Sequence, residues 1–166
     1  MSIAALLAAI QSWPISAAIR GETSGTEWLF PIIETLHVMS LTLVVGSIAM
    51  VDLRLLSLAS RDSSISRLSD EVLPWTWTAW CAAAVFGTLM FMSKADTYAG
   101  NLQFRLKFLC MGLAALNMLI FRFGAYRQVA RWDSGETPVS AKVAGALSLL
   151  LWIAVVFFGR WVGFTT

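Results

Sequence analysis

Residues 28–50 read WLFPIIETLHVMSLTLVVGSIAM. A helix needs about 20 mostly apolar residues to cross the hydrocarbon core of a bilayer, and this stretch is long enough. Glu34 and His37 are its ionisable residues, and Asp52 and Arg54 follow its end. Because the stretch is too long and too apolar for a β-strand, it predicts a membrane-spanning helix.

Three further stretches have the same character. The four predicted spans cover about residues 28–52, 74–93, 102–123 and 143–160, and short polar or glycine- and proline-containing loops separate them. Short loops make consecutive spans antiparallel neighbours. The sequence therefore predicts an all-α fold, an integral membrane four-helix bundle that forms a single domain over residues 28–162.

The composition agrees with a membrane protein. Apolar residues make up 58% of the chain, charged residues 13%, and the mean hydropathy is +0.72. Soluble domains average about 25% charged residues, and a small one could not bury so much apolar surface. These values exclude a soluble enzyme, a disordered chain and a disulfide scaffold. The net charge of +2 is too small and too scattered for a nucleic-acid partner, so the expected partner is the lipid bilayer.

The segment of residues 1–27 precedes the first span. Ser2–Gln11 is apolar but too short to span, and it is predicted to form a short interfacial helix. Trp13 would lie at headgroup depth, and Pro14 would end the helix. An uncleaved targeting segment is the alternative, although no Lys or Arg precedes the apolar run.

The basic residues predict an orientation. Seven of them lie on the side of the loops after spans one and three, and five lie on the side of the chain termini. Cytoplasmic loops carry an excess of Lys and Arg. We therefore expect a multi-pass protein of the bacterial inner membrane with both termini in the periplasm.

Four ionisable side chains are predicted to converge in the outer half of the bundle. Glu34 and His37 are three residues apart and share one helical face. Lys107 lies about five residues into span three, level with Glu34, and Arg160 ends span four on the same side. Ionisable groups inside a membrane are costly and are candidates for function. We expect Glu34 and Lys107 to lie within hydrogen-bonding reach, or both to contact one ligand.

One reading of these residues is a haem b site. His37 would be the axial ligand, with Glu34 as its neighbour. Lys107 and Arg160 would pair with the anionic groups of the haem. A purely structural ion pair between Glu34 and Lys107, with no cofactor at all, is equally open.

A second reading is a copper site, because imidazole and thioether are suitable ligands for copper. Its candidate ligands are His37, Glu34, Met39, Met90 and Met92.

No nucleophile–base pair, phosphate loop or zinc pattern is present, so the sequence shows no independent catalytic set. The alternatives to cofactor binding are a non-catalytic subunit of a larger membrane complex and a pathway for small solutes or ions. Gly159 and Gly163 form a G-x-x-x-G pattern that favours contact with a second copy or another membrane subunit. At the opposite end of the bundle, Asp52 is predicted to pair with one of the arginines that follow span three.

Three strings carry a resemblance to a known family. They are Pro31–Leu56 (PIIETLHVMSLTLVVGSIAMVDLRLL), Leu73–Trp77 (LPWTW) and Ser148–Arg160, which starts SLLLW and ends GR. Together they resemble uncharacterised bacterial four-span inner-membrane proteins that share a domain of unknown function. The chain is also distantly similar to membrane proteins of the copper-resistance D type, through a histidine near the outer end of a span. The first resemblance implies the fold and the location, and it implies no established activity.

Overall fold

The computed structural model of the protein describes residues 2–59, 63–133 and 135–165. These residues form seven α-helices and one 3₁₀ helix, and no strand occurs among them. The helices are α1 (Ile3–Gln11), α2 (Pro14–Ile19), α3 (Leu29–Leu55), α4 (Ile65–Ser93), α5 (Ala95–Gly100), α6 (Leu102–Phe123) and α7 (Val139–Thr165), and the 3₁₀ helix (Ala125–Arg131) lies between α6 and α7.

The four long helices α3, α4, α6 and α7 confirm the all-α four-helix bundle. Each is long and apolar enough to cross a membrane. Because four helices alternate in direction, both chain termini lie at one end of the bundle, here called the termini side. Asn101 at the start of α6 donates to the Thr165 hydroxyl at the end of α7, 2.8 Å away, which ties the two helices together there. The opposite end is called the loop side.

Helix α4 begins at Ile65, well before the predicted span at residue 74. The hydroxyl of Ser64 accepts from the Arg67 backbone and caps the helix. Ile65 and Leu68 are buried, so the extra turns pack against the loop side of the protein. Pro74 therefore lies inside α4 rather than at its start.

The four long helices do not close a complete ring. Helix α3 packs along α4 and more lightly against α7, and α7 packs along α6. Within the described residues, α4 and α6 share no extensive contact, and the short helix α5 connects them on the termini side. The open side of this arrangement lies between α4 and α6; it is called the α4–α6 groove below.

Small residues allow close approach where the long helices do pack. Ala79 and Ala83 are buried on α4. On α7, a Cβ built at Gly145 would lie 3.1 Å from the Asp52 carbonyl oxygen and 3.1 Å from the Leu55 Cβ. This is the small-residue packing that membrane helices use in place of a hydrophobic driving force.

The N-terminal segment differs in part from its prediction. Helix α1 is present and is capped by the Ser2 hydroxyl. Pro14 does not end the helical structure of this segment. It lies in the first turn of a second helix, α2, where its missing N–H is tolerated. Arg20 anchors the segment by donating to the backbone oxygens of Gln11 and Ser93, each 3.1 Å away.

Candidate functional site

His37 is held by one of its two ring nitrogens. Its Nδ1 lies 2.8 Å from the backbone oxygen of Ala83 on α4. A carbonyl oxygen only accepts, so Nδ1 carries the proton and Nε2 keeps its lone pair. No described residue hydrogen-bonds to Nε2. The packing of α3 on α4 therefore orients an imidazole with one nitrogen open to a ligand.

Gly87 makes room for this ring. It lies one turn after Ala83 on α4, and a Cβ built there would be only 2.9 Å from the His37 Cε1. Ala79, Ala83 and Gly87 recur every four residues along α4, which is the spacing of a small-residue helix-packing face. The same face also accepts a hydrogen bond from His37 at Ala83 and leaves space for the ring at Gly87. This second role depends on which residue of α3 faces it, so the spacing alone could not reveal it.

Lys107 approaches the same region from α6. Its Cδ, Cε and Nζ lie 3.5–3.7 Å from the position of a Cβ at Gly159 on α7. The side chain is half-buried, and its charge is within electrostatic range of His37. In the described part of the chain, no hydrogen bond or ion pair involves its ammonium group. The bundle thus places the charge of Lys107 within electrostatic range of His37.

Glu34 does not make the expected contact with Lys107. Among residues 2–59, 63–133 and 135–165, no ion pair or hydrogen bond joins the two side chains. Glu34 instead acts on Tyr98 of α5: burial raises the pKa of Tyr98, and the charge of Glu34 raises it further. Equal depth on parallel helices is not sufficient for an ion pair: Lys107 lies against Gly159 of α7, and the charge of Glu34 acts on Tyr98 of α5. Tyr98 is a site residue that sequence reasoning missed.

In the described part of the chain, none of the remaining predicted site residues hydrogen-bonds to His37. Arg160 is exposed, and its guanidinium lies 5.0 Å from the centre of the Phe164 ring. Met39 is 60% exposed on the outside of the bundle. It follows His37 by two residues, which is roughly 200° around a helix. Met90 and Met92 are half-buried on α4.

A copper site here would have to draw on methionine ligands in addition to His37 and Glu34. Within the described residues, no group of three or more His, Cys, Asp or Glu side chains could hold a metal ion. With Met39 outside the bundle, His37 and Glu34 lose one of their predicted partners. Lys107 adds a positive charge that opposes a metal cation beside His37.

Aromatic rings close the α4–α6 groove on the termini side. Phe91 of α4 stacks on Phe104 of α6 with 5.5 Å between ring centres, and Tyr98 lies 6.5 Å and 5.8 Å from them. Gly87 lies one turn before Phe91 on the same side of α4. The stack therefore covers the α4–α6 groove at its termini-side end, next to the region of His37 and Lys107.

The loop side holds a different polar group, centred on Arg54. This arginine is 3% exposed. Its guanidinium donates to the Ser63 backbone oxygen at 2.7 Å, and at 3.4 Å to the Thr137 hydroxyl and the Asp133 backbone oxygen. Arg54 thereby joins the loop after α3 to the loop before α7.

Asp52 does not pair with an arginine as predicted. No ion pair to it is found in the described part of the chain. Its carboxyl is buried, one oxygen has no hydrogen-bond partner there, and Ser148 of α7 is its hydrogen-bonding neighbour. Asp52 faces α7 at its close approach beside Gly145, whereas the arginines after α6 lie on exposed surface.

Comparison with known proteins places the chain in a family. No curated protein and no solved structure matches it. The model of a family of unknown function (DUF6644) matches residues 19–165, which includes all four long helices and the site around His37. The chain therefore belongs to this family of unknown function.

Proposed function

We propose that the protein binds a cofactor in the α4–α6 groove through His37, and that the cofactor is haem b. The observation that carries the proposal is the bond from Nδ1 of His37 to the Ala83 carbonyl, which leaves Nε2 available. Histidines that ligate a metal are oriented in this way. A hydrogen bond from the second ring nitrogen fixes the ring and raises the basicity of the ligating nitrogen. A haem in a membrane bundle points to electron transfer as the activity.

Haem b suits these residues better than copper does. A haem needs one axial imidazole from the protein, and its sixth position can be filled by another ligand or left open. The Lys107 ammonium would attract a propionate, whereas it would repel a bare metal ion. Arg160 lies farther toward the end of α7, where it could meet the second propionate. Copper remains the runner-up cofactor, because imidazole and thioether are suitable ligands for it; the comparisons show no similarity to copper-resistance D proteins.

The test is the absorption spectrum and metal content of the protein purified in detergent. We expect a Soret band and about one iron per chain. His37→Ala should abolish the band, and Met39→Leu should leave it unchanged because Met39 faces outward. A colourless protein without iron or copper would overturn the proposal. Copper without a Soret band would replace haem with the runner-up.

Gly87→Ala gives a second test that spares the ligand itself. The added methyl would lie 2.9 Å from the His37 Cε1 and must displace the ring. We expect a shifted or weakened Soret band. Gly46→Ala is the matched control, since no atom lies within 4 Å of a Cβ at that position. An unchanged band in Gly87→Ala would show that the ring position is not needed for binding.

A non-catalytic subunit of a larger complex is the second candidate function. Helix α6 favours it: Ala114 and Asn117 are its buried residues, and large apolar side chains project from much of its remaining surface. Lipid or another membrane helix could cover this surface. Extraction in a mild detergent followed by native mass spectrometry separates the two, because a subunit would carry protein partners and need no cofactor.

The third alternative, a solute or ion pathway, has less support. Ser40 bonds to its own helix at the Leu36 backbone oxygen, and Thr88 is exposed and bonds to Ala84. These hydroxyls do not form a continuous polar path. We further propose a bacterial inner-membrane location with periplasmic termini, based on the distribution of Lys and Arg; labelling of a cysteine introduced at either end in intact cells tests the orientation.

A further inference from the structure

A cavity on the loop side has no role in the proposed haem site. Its volume is about 290 Å³. It is lined by Arg54, Ser57, Gly135, Glu136, Thr137 and Lys142. The cavity lies between the end of α3 at Leu55 and the start of α7 at Val139. Since these helices cross the membrane, the cavity lies where the bilayer meets water.

The buried guanidinium of Arg54 forms one wall. Within residues 2–59, 63–133 and 135–165, no carboxylate lies within ion-pair distance of it. Its three hydrogen bonds go to neutral oxygens, and two of them are long, at 3.4 Å. A guanidinium has five N–H donors, so further donors remain. The guanidinium lines the cavity and can donate to an anion that enters it.

Two further features add positive potential. Lys142 lines the cavity in the first turns of α7, and the backbone N–H groups at the start of this long helix carry a partial positive charge. The hydroxyl of Thr137 also faces the cavity. Two carboxylates among the described residues oppose this potential: Glu136 is exposed, so water screens it, and the Asp133 carboxylate accepts hydrogen bonds from Ser66. The positive potential in the cavity outweighs the negative one and favours an anion. The several donors favour one with several oxygen acceptors.

We propose that this cavity binds the phosphate group of an anionic phospholipid. A planar arginine fork and a lysine match the geometry and charge of a phosphate. Basic pockets at membrane-helix ends recognise lipid headgroups. The height of the cavity favours a headgroup over a soluble phosphate, because the acyl chains of such a lipid would lie along the apolar faces of α3 and α7.

The test uses the full-length protein in detergent, with phosphatidylglycerol, phosphatidylcholine or sodium phosphate added. Thermal unfolding and native mass spectrometry report binding. We expect phosphatidylglycerol to raise the unfolding midpoint and to remain bound, and phosphatidylcholine to have much less effect. Lys142→Gln should weaken phosphatidylglycerol binding about fivefold. Arg131→Gln is the matched control, because it removes one exposed positive charge at the same end.

Each outcome decides the proposal. Equal binding of both lipids, or equal loss in the two variants, would overturn it. Saturation by sodium phosphate that prevents phosphatidylglycerol binding would support the anion site and reassign its occupant to free phosphate. Arg54→Lys keeps the charge and removes the planar fork, so it should weaken binding while the protein remains folded by circular dichroism; unchanged binding would remove Arg54 from the site.

Discussion

The loop side and the termini side of this bundle use polar residues in opposite ways. On the loop side, Arg54 makes three hydrogen bonds, and the Asp133 carboxylate accepts from both the backbone and the hydroxyl of Ser66. On the termini side, His37 makes one hydrogen bond, and no hydrogen bond or ion pair involves Lys107 in the described residues. The first group joins helix ends to loops, and the second lies within the long helices.

The reason for this difference lies in the backbone. Where the chain leaves a helix, its N–H and C=O groups need new partners, and long polar side chains supply them. The backbone groups within a helix are already hydrogen-bonded to one another. A polar side chain there therefore forms a hydrogen bond only with a suitably placed neighbour or with a ligand. Under our proposal, the unused hydrogen-bonding capacity of His37 and Lys107 serves a ligand, whereas the three hydrogen bonds that Arg54 makes to the two loops contribute to stability.

The largest expected effect is on the loop side. Arg54→Ala leaves the Ser63 and Asp133 carbonyls and the Thr137 hydroxyl without their donor. Hydrogen bonds to charged groups contribute about 1.5–3 kcal/mol each, and those at 3.4 Å lie at the weak end. We expect a loss of about 3 kcal/mol in the free energy of unfolding in detergent. The measurement is chemical denaturation followed by circular dichroism.

Arg131→Ala is the control for this prediction. Arg131 is exposed and bonds only to Gln128 in the described structure, at 3.3 Å. Surface substitutions of this kind change stability by about 0.5 kcal/mol or less. Comparable effects of the two substitutions would show that the Arg54 bonds do not hold the loops together.

A smaller effect is expected where α7 meets α3. Gly145→Ala places a methyl 3.1 Å from the Asp52 carbonyl oxygen and from the Leu55 Cβ. Neither atom is the end of a flexible side chain, so the helices must separate slightly. Overpacking of this kind costs about 1–3 kcal/mol. Gly46→Ala, in α3 with no atom within 4 Å, should be neutral or stabilising, and a loss of stability there would contradict the packing.

The fold could be predicted almost entirely from the sequence. Apolar length alone identified the four spans, because a bilayer accepts only helices or closed barrels. The errors of the prediction concern the residues at which helices begin. The start of α4 at Ile65 depends on burial of that residue and on Asp133, whose backbone oxygen accepts from the Ile65 N–H. Such a contact joins residues far apart in sequence and leaves no local signal.

Candidate site residues could be named from the sequence, but their contacts could not. The sequence identified His37 and Lys107 because charges within apolar stretches are visible in any hydropathy profile. It could not identify Tyr98 or Gly87, since a tyrosine in a loop and a glycine in a helix have many ordinary uses. The rotation of α3 about its axis, which sends Glu34 toward Tyr98, is decided by packing against three other elements.

The pH dependence of stability provides a third prediction, smaller than the first two. Desolvation would raise the pKa of Asp133, but hydrogen bonds from Ser66 and Ile65 and the charge of Arg54 hold it below its usual 3.8. A depressed carboxyl pKa contributes stability that is present above the unfolded value and lost as the pH falls through the folded one. We expect wild-type stability to decline below about pH 4. Asp133→Asn should make that decline shallower, and an identical profile would show that the Ser66 contacts are not formed.

The smallest expected effect is a coupling energy on the termini side. Glu34 and Lys107 lie level on parallel helices, a position from which the sequence predicts an ion pair, but the structure directs them to different neighbours. Residues without contact or shared partners have additive effects within about 0.5 kcal/mol. We therefore expect the unfolding free energies of Glu34→Gln, Lys107→Met and the double variant to form an additive cycle in the cofactor-free protein. A coupling above about 1 kcal/mol would mean that the two charges meet, because breaking one partner of a real pair leaves the other uncompensated. The same cycle is then measured in the cofactor-bound protein. Coupling that appears only with the cofactor bound would show that both side chains contact it.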